Sequence, residues 1–180
     1  MRSIILAATV ISAFAAPALA TEIRCDGNEK NRDTYLKMHD VLFMKRDAER
    51  AAEFYAPEFV SHNADSGGGD TVKLKPDNLK PMWIDSKKNQ PDRVLINDLI
   101  LCAGDLVVAR VTMKGTQTGP LFGMPATGKA YSTTATDIYR FKDGKVVERW
   151  GNNDGVTMLT QLGLLLPFAQ AQAAKAVEKK

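Results

Sequence analysis

The sequence holds few of the residues from which metal and redox centres are built. Its 180 residues include two histidines, His39 and His62, and two cysteines, Cys25 and Cys102. No His-x-His, His-x-x-x-His or Cys-x-x-Cys spacing occurs, so no metal site and no dithiol redox motif is expected. An excess of charge is missing as well. Against 24 Lys and Arg stand 21 Asp and Glu, a net charge of +3, which excludes a polyanion binder driven by bulk charge; no nucleic-acid partner is expected. The glycines of Ser66-Gly67-Gly68-Gly69-Asp70 lead into no Gly-Lys-Ser/Thr, so they do not make a phosphate loop. Ser61-His62 lies in no nucleophile elbow, which leaves nucleophilic catalysis without support. Past residue 20 no apolar run approaches the ~18 residues of a membrane span.

The first 20 residues are a different matter. Met1-Arg2-Ser3 is a short basic start, residues 4–16 are largely apolar, and Ala18-Leu19-Ala20 is a small-x-small cleavage pattern. These three parts make residues 1–20 a signal peptide, cut after Ala20, with residues 21–166 as one domain and 167–180 as an Ala/Gln/Lys tail. The mature protein is then expected to be exported, periplasmic or secreted, with no membrane contact after cleavage. In an oxidising compartment Cys25 and Cys102 form the one available pair; the alternative is two buried thiols that never meet.

Hydrophobic periodicity orders the rest. Tyr35, Met38, Val41 and Leu42 recur at helical spacing across residues 31–45. A short helix over 48–55 is expected to be capped by Asp47 and stopped by Pro57, followed by a strand at 58–62. Residues 76–88 read as a third helix, interrupted at Pro81. Strand texture then begins: 94–100, a turn at Ala103-Gly104-Asp105, 106–114, a Gly/Pro loop over 119–128, and a hairpin of 132–141 and 145–150 joined through Lys142-Asp143-Gly144. Residues 157–166 make a last amphipathic segment. Helices followed by an antiparallel meander define an α+β fold with a cavity between sheet and helices.

Several segments along this path resemble one family. Phe54-Tyr55-Ala56-Pro57-Glu58-Phe59-Val60-Ser61-His62-Asn63, Gly115-Thr116-Gln117-Thr118-Gly119, Gly123-Met124-Pro125-Ala126-Thr127-Gly128, Asp137-Ile138-Tyr139-Arg140, Asp143-Gly144-Lys145 and Gln161-Leu162-Gly163 are similar, in order and spacing, to the SnoaL-like polyketide cyclases. The resemblance covers about residues 31–165. It implies a cone-shaped barrel: a curved, mostly antiparallel sheet wrapped around N-terminal helices with an internal pocket, as in nuclear transport factor 2 and ketosteroid isomerase. It also implies a site without metal or cofactor, and frequent dimers or tetramers. Cyclases of this family close a ring by intramolecular aldol chemistry, with an aspartate after a Trp-like position as acid/base. Here Trp150 is followed by Gly151. The acid in the pocket is instead Asp137, at the place of a histidine found in such cyclases.

Read as chemistry, Asp137 shares a strand face with Ala135, Tyr139 and Phe141, where apolar surroundings favour proton transfer; the alternative is a structural ion pair with Arg110. His62 is the second catalytic candidate, placed by the resemblance at the cavity mouth; the alternative is a solvated loop histidine. Substrate-contact candidates are Asn63, Trp83, Arg110, Gln117, Tyr139, Trp150, Asn152 and Asp154, although Asp154 equally suits a helix cap and Trp150 plain core. His39 is expected to pack inside the first helix. Three functions stay open: an exported enzyme acting on a small apolar carbonyl compound, a ligand-binding protein without chemistry, and a scaffold whose cavity is filled. A cavity below about 300 Å³ would weaken the first two. Sheet faces apolar on both sides, as at Leu106-Val107-Val108-Ala109, predict a homodimer through the outer sheet face.

Overall fold

Long runs of β-branched and aromatic residues after Pro91 pair into the centre of one sheet, and everything else is arranged about it. The computed structural model describes residues 20–63 and 71–178. The expected signal peptide, apart from Ala20, and the glycine loop at 66–70 lie outside the described residues.

The elements run β1 (Glu22–Arg24), α1 (Glu29–Met38) continuing as a π-turn (His39–Met44), a 3-10 turn (Ala48–Glu53), β2 (Tyr55–Asn63), β3 (Thr71–Leu74), a 3-10 turn (Pro76–Leu79), α2 (Lys80–Asn89), β4 (Val94–Ala103), β5 (Leu106–Thr116), β6 (Ala130–Lys142), β7 (Lys145–Asn153), α3 (Gly155–Leu162) and α4 (Leu165–Glu178). The sheet order is β1-β4-β5-β6-β7-β2-β3, with no bond between its two ends among the described residues. β4 to β7 form the antiparallel meander, and β1 and β2 add to it as parallel neighbours of β4 and β7. This is the expected α+β arrangement, with an open sheet.

One sheet face is covered. Tyr35, Met38, Val41 and Leu42 of the first helix bury against Val107, Ala109, Val111 and Tyr139, so the 3.6-residue stripe and the two-residue alternation meet in a single core. A second small cluster joins Tyr131 to Met158, Leu159 and Leu162, with Leu165 and Phe168 packed on it. The tail residues are therefore helical and docked at their start. Cys25 and Cys102 are joined by a disulfide closing 77 residues, which ties β1 to the end of β4.

Two prolines act differently from expectation. Pro81 falls in the first turn of α2, where a missing amide hydrogen leaves no bond unmade, so it starts that helix instead of interrupting it. Pro57 does not stop a helix; it lies inside β2, between Tyr55 and Val60, where the register with β7 shifts and a ladder donor is not required. Asp47 makes no side-chain cap.

Candidate active site

β6 is the strand that brings chemistry to the covered face. Asp137 stands between Ala109 of β5 and Gly151 of β7 in the pairing register, so residues 135, 137 and 139 face the helices. Between this face, α2 and the loop around Leu121 and Phe122 lies a cavity of about 750 Å³, lined by Trp83, Leu95, Met113 and Met158 and by the polar pair Asp137 and Arg149. That size suits a drug-sized ligand, and the wall is mostly apolar with few polar groups, as small-molecule sites are. An open groove of about 640 Å³ between residues 45–49 and Ile84, Lys87 and Lys88 is a charged surface feature with none of these residues.

Arg149 Nη2 donates to Asp137 Oδ1 at 2.6 Å, and the two side chains are 18% and 14% exposed. A carboxylate held by a guanidinium at this depth is an ionised acceptor in a weakly solvated wall. The space it occupies is the space Gly151 leaves. A Cβ on residue 151 would lie 2.3 Å from Arg149 Nη2 and 2.9 Å from Asp137 Oδ1. A side chain at 151 and the Asp137–Arg149 pair therefore draw on one volume.

Three tyrosines surround the pair. Burial, with the charge of Asp137 adding to it, pushes the phenols of Tyr35 and Tyr139 well up; burial does the same to Tyr55, where Arg149 opposes it. All three stay protonated hydroxyls at neutral pH. Tyr35 donates to Asn97 Oδ1 at 2.7 Å, while Tyr55 lines the cavity.

The remaining candidates divide by sheet face. Trp83 is fully buried and lines the cavity, edge-on to Phe43. Asn152 borders the cavity although it is exposed. Tyr139 sits on the same face as Asp137 but is buried against Tyr35 in the core. His62 and Trp150, expected at the cavity, stand on the opposite face. They pair across β2 and β7 and stack at 4.9 Å and 7°. His62 hydrogen-bonds Glu148 Oε1 at 2.8 Å and Thr71 Oγ1 at 2.9 Å, and Arg140 joins Glu148, Asp105 and the Trp150 ring. His62 is neither a loop histidine nor near Asp137.

Arg110 is exposed and belongs to that outer face too, so it is not the partner of Asp137. Gln117 is fully buried, but its amide holds the 117–128 loop through Gly119 O, Pro125 O and Thr127, away from the cavity lining. Asp154 is the cap of α3, accepting from Thr157 N at 3.0 Å. The backbone of Asn63 pairs with Gly151; its side chain lies outside the described residues. His39 packs between the rings of Tyr35 and Phe43, and burial lowers its pKa.

Arg149, Tyr55 and Arg93 line the cavity without having been singled out in the sequence. Plain counting along the hairpin puts Arg149 opposite Ile138, on the other face; only the extra residue in β7 sets it across from Tyr139, diagonal to Asp137. Nothing local marks the other two.

A family model described as SnoaL-like polyketide cyclase matches residues 33–162. No protein of curated function matches the chain. Among solved structures it is similar to IdmH of Streptomyces antibioticus, a candidate polyketide cyclase, with 30% identity, a TM-score of 0.63 and coverage of 74% of this chain and 98% of that one. TsrD of Streptomyces laurentii is 25% identical with a TM-score of 0.63, over 76% of this chain and 95% of TsrD. A candidate SnoaL-like polyketide cyclase from Jannaschia sp. CCS1 has 20% identity and a TM-score of 0.65, over 74% and 92% of the two chains, a likeness of fold.

Proposed function

The chain belongs to the SnoaL-like polyketide cyclase family, and from that premise we propose that it is an exported enzyme that isomerises or cyclises a small apolar carbonyl compound by cofactor-free acid/base catalysis at Asp137. The observation that carries this reading is the Asp137–Arg149 pair in the cavity wall, in the volume that Gly151 leaves free.

Asp137, ionised beside Arg149, accepts the proton from a carbon next to the substrate carbonyl. The C–H electron pair becomes the enolate, whose oxygen takes a hydrogen bond from the Tyr55 hydroxyl, a neutral donor in the cavity lining. In a cyclisation the enolate carbon attacks a second carbonyl of the same molecule, a C–C bond forms, and the new alkoxide takes the proton back from Asp137. In an isomerisation the proton returns to another carbon. Neither course changes oxidation state. Arg149 holds the carboxylate in place and does not transfer the proton.

Asp137→Asn keeps size and removes the acceptor. Turnover of an apolar 1,3-dicarbonyl or polyketide model substrate should fall about 10²–10⁴-fold with little change in KM, the usual worth of a general base. Turnover as fast as the parent removes Asp137 from the role. The alternative, a binding protein without chemistry, draws on Gly151 in place of the usual aspartate. It predicts no turnover by the parent, and unchanged or tighter binding of a neutral ligand by Asp137→Asn.

Export is supported by the leader pattern and by the Cys25–Cys102 disulfide, a bond that persists in oxidising compartments. A homodimer through the outer sheet face, where Ile96 is 41% exposed, belongs to the same proposal; a monomeric mass in light scattering at micromolar concentration would exclude it.

A further inference from the structure

The wall of the cavity opposite Asp137 carries hydrogen-bond donors without acceptors. On α2, Trp83 Nε1 and Ser86 Oγ are buried with no hydrogen-bond partner, and so is Nε of Arg93, which follows the helix after a tight turn. Trp83, Ser86 and Arg93 all line the cavity.

The turn that presents Arg93 is held firmly. Arg93 N donates to Gln90 O at 3.1 Å, and Arg46 reaches Gln90 O at 2.7 Å and Pro91 O at 2.8 Å. The adjacent carboxylate, Asp92, is turned away, accepting from Thr116 N and Thr116 Oγ1 at 2.8 and 2.7 Å. Asp85 also lines the cavity, but it is exposed and forms no ion pair with Arg93 among the described residues. Burial works against the charge of Arg93; the nearby Tyr131 phenol opposes that effect and Arg46 adds to it. Arg93 is half-buried with its Nε closed off; desolvated cations in proteins are normally paired, and a guanidinium fork fits a carboxylate with two parallel bonds.

We infer that the substrate is an apolar carbonyl compound bearing a carboxylate or comparably acidic group, and that Arg93, with Ser86 and the Trp83 indole, binds that anionic end while the reacting carbonyl lies towards Asp137. This rests on the cavity being the substrate site and narrows its substrate class. Arg93 is then the residue that sets specificity, and Met113 and Met158 give the apolar length between the two ends.

The probes are 2-naphthoate, ionised at pH 7, and 2-acetylnaphthalene, a methyl ketone of nearly the same shape; affinity is measured by calorimetry, and no turnover is needed. The parent should bind the carboxylate about 10–100-fold more tightly than the ketone, the range of a charge-assisted contact. Arg93→Met should reduce that preference to about twofold or less by weakening the carboxylate alone. Arg93→Gln is a second neutral variant should Arg93→Met not fold, with the same expectation. Equal affinities in the parent, no binding of either probe, or a preference that survives both neutral variants overturns the inference. So does a preference abolished by Lys88→Met, since Lys88 is the exposed cation of the same wall. The outcome is independent of the turnover test on Asp137, so either proposal can fail alone.

Discussion

Replacing Gly151 by alanine adds one methyl group at a strand position whose backbone an L-residue accepts, since Gly151 is not among the residues with positive φ. If the site had room, the change would stabilise the protein by about 0.5–1 kcal/mol, because a strand glycine loses more chain entropy on folding than alanine does. The structure predicts the opposite sign. The new Cβ would lie 2.3, 2.7 and 2.9 Å from Arg149 Nη2, Arg149 Cζ and Asp137 Oδ1. Ordinary contact needs about 3.5 Å or more, so the guanidinium and carboxylate tips must shift by about 1 Å; the ends are flexible, and the cost comes from straining their 2.6 Å contact in a wall that buries both. At 18% and 14% exposure, the pair lies between surface bridges worth about 0–1 kcal/mol and buried ones whose disruption costs about 3–5. A loss of about 2–3 kcal/mol, less the backbone gain, leaves a net destabilisation of about 1–3 kcal/mol. For a chain of this size that lowers Tm by about 2–10 °C, readable by calorimetry and by urea titration. The same change placed on an Asp137→Asn/Arg149→Met background should be neutral or stabilising, as the charged pair is gone. A stabilised single variant, or an equal loss in both backgrounds, would refute the competition between Gly151 and the pair.

Two further outcomes are expected. The four tyrosines of the chain are Tyr35, Tyr55, Tyr131 and Tyr139; burial pushes Tyr131 up to about 12 and the other three further. Raised folded-state values mean that their stabilising contribution is complete below the unfolded value of about 10 and is lost above it, so ultraviolet absorbance should show no phenolate until the protein unfolds in alkali; a tyrosine titrating near 10 in the folded protein would contradict the burial. Reducing the Cys25–Cys102 bond frees a loop of 77 residues and should lower stability by up to about 4 kcal/mol on the loop-entropy account; an unchanged urea midpoint with and without reductant, or free thiols in protein purified without reductant, would count against a structural disulfide.

The α+β order, the covered face of the sheet and Asp137 on that face all follow from spacing along the chain, because side-chain direction alternates strictly within a strand and apolar positions recur every three or four residues in a helix. Asp154 as a cap is equally local. What local pattern does not carry is the phase between neighbouring strands. Counted out from Lys142 and Lys145, the β6–β7 hairpin would set Asp137 opposite Trp150. One extra residue in β7, between Val146 and Glu148, shifts the register so that Asp137 faces Gly151. A single-residue slip exchanges the two faces of a strand. It carries Trp150 and its stacking partner His62 to the outside and brings Arg149 to Asp137. Arg93 is a case of the same kind: it became a cavity residue because Arg46, far away in sequence, holds the turn after α2 against the sheet. Spacing within a segment names the residues able to do chemistry, but only long-range pairing and packing determine which of them share a cavity.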